Sequence, residues 1–377
     1  MSKIRFFVFC YFLISNQLFA KSYPNIEGKY WWKLQLDKDI SYKDNDDNTI
    51  DNSMKYSNYF LEYSPKFKLN LNSRSSIINK WSLQSLKSPD NDKRNSFFNA
   101  EGIILNELYY HYEKDDLALS VGKYEPDFAL AYDEYFNSGI WGSDYADEYR
   151  VQNKLGIRLN AKINLDDYGN HIISLNSFYN DDTELSKTIL TRRKLVVQDV
   201  GNAGSAKSLS SYILAIRGKD IYNMPNFFYN IAYRNIDAGN TALPISDESG
   251  YAISLGNNQE FFNALNLFTF VEYSKINNFN STNDRFGPEF FDLNLPGNYK
   301  YLTLMLAVKY QNWSINFNKL TKDIAIAGLN KAKQDEVSLT YAIKDNLAVS
   351  IGRKYEKDNN LIKKSSFGLM LYNSKTF

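Results

Sequence analysis

Cysteine is all but missing from this chain: the one copy, Cys10, lies near the start, and nothing after it carries a thiol. That excludes a disulfide framework and cysteine-based zinc or redox chemistry, and it suits an oxidising compartment. Cys10 follows Phe-Val-Phe, which is not the setting of a lipid-modified cysteine. Histidine is nearly as rare, with only His111 and His171. Long hydrophobic runs are absent as well. The longest, Phe6 to Ile14 (FFVFCYFLI), is short of the about 20 residues a membrane-spanning helix needs. Nor does one sign of charge dominate. Without Lys3 and Arg5, 42 basic residues face 43 acidic ones, a formal net of −1. No basic surplus exists to attract nucleic acid.

The first twenty residues have the layout of a cleaved secretory signal. Lys3 and Arg5 precede the apolar run, and a more polar exit, Ser15 to Ala20, ends in a small residue. Cleavage is expected between Ala20 and Lys21, leaving residues 21–377 as the working protein. That remainder is rich in aromatics, 29 Tyr and 25 Phe in the whole chain, and poor in proline, with 8. Tyr and Phe favour strands, and Tyr and Trp favour membrane interfaces.

Alternation with period two is the dominant pattern. From Tyr299 to Tyr310, Leu302, Leu304, Leu306, Val308 and Tyr310 share one face, while Thr303, Met305 and Ala307 share the other. After a turn at Gln311-Asn312, Trp313, Ile315 and Phe317 alternate with Ser314, Asn316 and Asn318. Val337 to Ile343 and Leu347 to Ile351 repeat the rhythm around Asp345-Asn346. This is the strand signature, with an aliphatic face ending in aromatics and a polar or small face opposite. A lipid-facing band with aromatic edges has that composition. Further strands are expected near 29–37, 56–71, 76–86, 101–112, 116–124, 152–163, 171–180, 208–218, 226–236, 249–257 and 263–275, with a last one from about Ser365.

The count is about sixteen. Connections alternate short (near 113–116, 164–170, 311–312 and 345–346) and long (near 38–55, 125–150, 181–207, 236–249, 276–298 and 321–334). The expected fold is all-β: a transmembrane antiparallel barrel with short periplasmic turns and long external loops, in the outer membrane of a Gram-negative cell. In hydrocarbon every backbone N–H and C=O must be paired internally, so the first strand should pair with the last. The chain ends on Phe377, which resembles the terminal assembly signal of outer-membrane proteins. Leu369 and Leu371 alternate with it, but Asn373 and Lys375 interrupt the apolar face, so the strand is expected to end near Asn373.

The segment Gly122 to Tyr149, GKYEPDFALAYDEYFNSGIWGSDYADEY, resembles a stretch of Gram-negative porins. There, a glycine-containing strand runs through a Pro-Asp/Glu-Phe turn into a long acidic loop. The loop follows the expected fifth strand. The resemblance implies that residues 125–150 fold inward and narrow a water-filled pore. It also implies passive diffusion of small hydrophilic solutes and ions, no cofactor, and assembly as a homotrimer among outer-membrane lipid and lipopolysaccharide. The alternative is a non-conducting barrel that serves as a surface adhesin or structural protein.

Selectivity needs fixed charge at a narrow place. The loop offers Asp127, Asp133, Glu134, Asp144, Asp147 and Glu148. The polar strand faces offer Lys33, Lys66, Lys68, Lys80 and Arg158. Lys66 and Lys68 are two apart and so share a face, opposite Phe67 and Leu69. An acidic loop facing this basic wall is expected to set up a transverse field. Catalysis has little support: Ser174 lies three residues from His171, on the opposite face, so the two make no dyad. Asp44, Asp46 and Asn48 follow the opening spacing of a calcium loop, but Thr49 stands where glycine is needed and Lys55 where glutamate is needed. No metal is expected. Arg192, Arg193 and Lys194 form a basic run in an external loop, read as a solvated stretch, with pairing to lipopolysaccharide phosphates as the alternative.

Overall fold

The computed structural model describes residues 23–43, 54–85, 96–97, 101–134, 139–181, 183–189, 208–221, 224–238, 246–262, 264–279, 297–325, 331–357 and 362–377. The expected signal peptide, Asp44, Asp46, Asn48 and the Arg192–Lys194 run lie outside these residues.

Sixteen strands form the wall. The first eight are β1 (Asn25–Lys43), β2 (Met54–Asn70), β3 (Ser75–Ser85), β4 (Glu101–Lys114), β5 (Leu117–Tyr124), β6 (Lys154–Asn164), β7 (Asn170–Asn180) and β8 (Ser211–Lys219). The rest are β9 (Phe227–Ile236), β10 (Glu248–Phe261), β11 (Leu265–Phe279), β12 (Gly297–Tyr310), β13 (Trp313–Ile324), β14 (Ala332–Lys344), β15 (Leu347–Lys357) and β16 (Ile362–Thr376). Each pairs antiparallel with its sequence neighbour, and β1 pairs with β16 from Lys29↔Thr376 to Lys43↔Ile362. The ring therefore closes and leaves no edge, as a spanning sheet requires. A two-residue strand, Ser96–Phe97, lies parallel against β2.

Side-chain parity follows the sequence rhythm. On β12, Leu304 and Leu306 point outward, both 37% exposed, while Thr303, Met305 and Ala307 are buried on the inner face. Leu306 continues across the wall into Phe317 and Val337. Nearer the turn, Tyr310, Trp313 and Tyr341 make an aromatic row, with the Trp313 and Tyr341 rings 4.6 Å apart. An apolar outer band with an aromatic rim suits lipid contact.

Several strands outrun their expected ends. β1 has 19 residues, against the about 9–11 that a tilted strand needs to cross hydrocarbon. Beyond the apolar band neither face must be hydrophobic, so alternation fades while backbone pairing continues through Asp37, Lys38 and Asp39. The same reasoning corrects the far end. β16 runs past Asn373 to Thr376, and Phe377 N and O each pair with Gly28 at 2.8 Å. The Phe377 ring lies over Gly28, near Tyr30 and Phe67. Closure rests on backbone pairing with β1, which side-chain polarity at 373 and 375 does not oppose.

One irregularity bears on the lumen. The β3–β4 register slips between Lys80 and Trp81, which face Glu107 and Leu105. This bulge turns two consecutive residues, Asn106 and Glu107, to the inside; bulges re-aim side chains in this way.

Candidate pore site

The described residues of the connection from β5 to β6, 125–134 and 139–153, fold into the barrel and include a short helix, α1 (Ala146–Tyr149). Its apolar side chains decide where it lies. Phe128, Leu130, Ala131, Tyr145, Tyr149 and Val151 pack into one buried cluster with inward residues of the wall, among them Phe178, Ile213, Ala252, Phe270 and Tyr301. Sequestering that surface from lumen water favours the docked position.

Two wall carboxylates then fix its backbone. Glu272 on β11 accepts hydrogen bonds from the N–H groups of Leu130 (2.6 Å) and Ala131 (3.1 Å), and from the Tyr149 and Ser254 hydroxyls. Glu336 on β14 accepts from the N–H groups of Ile140 (2.6 Å) and Trp141 (3.0 Å) and from Asn318. Charge-assisted bonds of this number compensate for burying a carboxylate. Gly139, just before this point, has φ +109°, and a side chain there would strike Glu336 and Ser338; only glycine suits that backbone. Trp141 donates its indole N–H to Asp37 on β1 at 3.0 Å and lies over Gly368 of β16, where any side chain would collide with the ring.

Charged side chains add further ties. Asp144 pairs with Lys354 on β15 (2.8 Å) and Glu148 with Lys322 on β13 (2.6 Å). Asp147 approaches Arg150 within the loop (3.8 Å). Arg234 on β9 bonds the Tyr149 carbonyl at 2.7 Å, pairs with Glu248 and stacks over Phe128.

On the loop's other side a cavity of about 610 Å³ remains, bounded by β1 to β4, β6, β8 and β16. Of the sequence-predicted residues, Asp127, Asp133, Lys66, Lys80 and Arg158 line it. Asp127 lies 3.2 Å from Arg158 and 3.4 Å from Arg217. Asp133 is exposed, and among the described residues its carboxylate makes no ion pair. Glu134, Asp144, Asp147 and Glu148 do not line the cavity. Lys33 pairs with Glu62 at 3.2 Å, away from the cavity, and Lys68 is exposed lower on β2.

Sequence reasoning missed five charged residues that point into the cavity: Lys29, Glu107, Glu125, Arg150 and Arg217. Glu125 pairs with Lys80 (2.8 Å) and Arg150 (3.2 Å). Parity along Ser211, Ile213 and Ala215 points Arg217 inward and was the available signal. The charges also meet differently from the expected field: loop acids and wall cations are in direct contact, not facing each other across water. Burial alone would push the Glu125 and Asp127 carboxyls up. Arg150 and Lys80 around the first, and Arg217 and Arg158 around the second, outweigh it and hold both below the usual carboxylate range. Both are therefore ionised at neutral pH.

His111 faces inward and hydrogen-bonds Ser120, its cross-strand partner, at 3.0 Å, with Glu113 3.6 Å from its other nitrogen. Ser120 is 2% exposed, which denies a substrate access to its hydroxyl. His171 bonds Tyr229 and the Tyr168 carbonyl. Among the described residues no group of three or more His, Asp or Glu side chains is placed to hold a metal.

A closed sixteen-strand wall with the loop after the fifth strand drawn inside is the porin type of barrel, and this chain has the fold of Gram-negative outer-membrane porins. No family model and no curated protein matches the sequence. Among solved structures, OprB of Pseudomonas putida at high pH superimposes with a TM-score of 0.59 at 12% identity, covering 93% of this chain and 94% of its own. An anion-selective porin from Comamonas acidovorans gives 0.53 at 9%, over 93% and 100%. Salmonella typhi OmpF in complex with daunomycin gives 0.53 at 13%, over 93% and 98%. At these identities the likeness is one of fold.

Proposed function

We propose that this protein is an outer-membrane porin, a water-filled channel through which small hydrophilic solutes and ions diffuse down their gradients. The observation that carries this reading is the docked loop. It is held to the wall by Glu272, Glu336 and an apolar cluster, and beside it lies a cavity lined by charged groups. A barrel built only to anchor surface loops has no need of an ionised lumen beside a fixed internal segment. Diffusion through such a passage requires no cofactor and no chemistry on the solute. The outward apolar band and aromatic row fit a lipid setting, and the outer membrane is the bilayer in which barrels of this fold work. Assembly as a homotrimer, and contact of the external loops with lipopolysaccharide, belong to the same reading.

The test is single-channel recording of the purified, refolded chain in planar bilayers. Discrete, ohmic steps are expected. Inserted barrels that pass no current would favour the adhesin or structural alternative. Light scattering in detergent checks the trimer, with a monomer counting against it.

A further inference from the structure

We propose that the passage favours anions, taking chloride and small carboxylate-bearing solutes ahead of cations; this rests on the channel reading above. The argument is one of charge sharing. Lys66 lies 2.7 Å from Glu107, and Lys80 lies 3.8 Å from Glu107 and 2.8 Å from Glu125, which also holds Arg150 at 3.2 Å. Three cations are thus threaded on two carboxylates. Arg158 and Arg217 share Asp127, so that two cations are threaded on one. The second chain ends in cations and keeps one positive charge uncompensated, while the first runs on from Arg150 to Asp147 at 3.8 Å and is balanced there, outside the cavity lining. Asp133 returns one negative charge, and Lys29, on the inner face of β1, adds a positive one. Lys375 falls with Leu369 and Leu371 on the outer face of β16, so six inward basic residues and four acidic ones line the cavity, an excess of two positive charges, or one once Asp147 is set against Arg150.

Accessibility sharpens the asymmetry. Side-chain exposure is 31% for Lys66 against 10% for its partner Glu107, and 22% for Lys80 against 15% for Glu125. Arg217 likewise exceeds Asp127, 27% against 23%, whereas Arg158 at 12% and Arg150 at 14% lie no shallower than their partners, so a passing ion meets Lys66, Lys80 and Arg217 ahead of the carboxylates they hold. Guanidinium groups offer several donors in a planar fork, and Asp127 does not exhaust those of Arg158 and Arg217. That geometry matches a carboxylate. In a confined lumen with low-dielectric walls the excess charge is poorly screened and acts on every ion that enters. Of the acids outside the cavity lining, Asp147 offsets Arg150, while Asp144 and Glu148 are already spent on Lys354 and Lys322, so the balance is reduced but not reversed.

The test is the reversal potential of the full chain in planar bilayers under a tenfold KCl gradient at pH 7. Expected is a chloride-to-potassium permeability ratio of about three or more near 0.1 M salt, falling toward one near 1 M, where the Debye length shrinks from about 10 to about 3 Å. Lys66→Gln with Arg217→Gln should move the potential toward cations, and Asp133→Asn further toward anions. If the double variant does not insert, Lys29→Gln, at an exposed residue, should give a smaller shift of the same sign. Potassium gluconate in place of KCl then asks whether a carboxylate follows chloride. A wild-type potential on the cation side overturns the proposal, and potentials unmoved by these variants overturn its residue assignment. A gluconate that carries no current overturns the carboxylate part. Absence of any conductance is a separate result that sinks the channel reading itself.

Discussion

Removing the carboxylate of Glu272 should free the loop without dismantling the barrel. This side chain is 1% exposed and is the shared acceptor for two backbone N–H groups, of Leu130 and Ala131, and two hydroxyls, of Tyr149 and Ser254. In Glu272→Leu the hydroxyls can rotate toward other acceptors, but the two N–H groups are fixed by the loop path. A buried donor left unpaired costs about 1–3 kcal/mol, so the two together put about 2–6 kcal/mol against the docked loop. Glu272→Gln keeps one acceptor oxygen but turns an NH₂ toward backbone donors, so its effect should be intermediate. The wall hydrogen bonds of β11 to β10 and β12 are untouched, and the variant should still refold and insert. In single-channel records the open level should become noisy, with a higher mean conductance as residues 128–131 leave the wall. Protease added to the folded protein should cut within 125–150 where wild type resists. Glu272→Leu channels as quiet, as conductive and as protease-resistant as wild type would refute the idea that this carboxylate holds the loop.

Other expectations follow from the same geometry. Leu306→Arg, in the outer apolar band, should cost about 2–4 kcal/mol on refolding into bilayers, and Tyr310→Arg, at the aromatic rim, only about 0–1 kcal/mol; equal costs would count against a spanning wall. Gly368→Val should push Trp141 out of its seat and raise current noise, and adding Trp141→Ala should relieve the collision but not restore the wild-type noise level. Phe377→Ala, which removes the ring lying over Gly28 near Tyr30 and Phe67, should lower the refolded fraction seen as heat-modifiable mobility on gels; an unchanged yield would show that the ring does not aid closure.

The wall was legible in the sequence because each strand sees two environments at once. Lipid selects Leu302 to Val308 on one side and the interior selects Thr303, Met305 and Ala307 on the other, so a period of two is written into composition. Every expected strand overlaps an observed one. Strand ends were not legible, since beyond the apolar band only backbone pairing holds the sheet, and pairing leaves no compositional trace. The inward loop was readable from its place after the fifth strand and from its resemblance, and parity put Lys66, Lys80 and Arg158 inside. What parity could not show is where the loop rests. Thr303, Met305 and Ala307 do face inward, but they are buried, with Met305 and Ala307 in the cluster that holds the loop. Asp144 and Glu148 read as pore acids yet serve as tethers, because their partners Lys354 and Lys322 come from strands some 170 residues or more away. Glu107 shares the parity of inward His111 and could have been read; Asn106 beside it could not, because it is turned inward by a bulge, which leaves no clear mark in the alternation.

The seat of Trp141 has a consequence for the order in which the protein is assembled. Its indole is held by Asp37, and its ring lies on Gly368; these two residues face each other across the junction of the first and last strands. The neighbouring contact, Ile140 to Glu336, joins residues 196 apart in sequence. Contacts of such separation are closed late, after the chain entropy between them has been spent. The tip of the loop therefore has nowhere to dock until the two ends of the chain have met. The docked loop tip becomes the final piece of the structure to form, and a barrel whose seam has not yet zipped carries a loose loop. Trp141 fluorescence, quenched or shifted on seating, would then time closure of the seam and not merely placement of the loop.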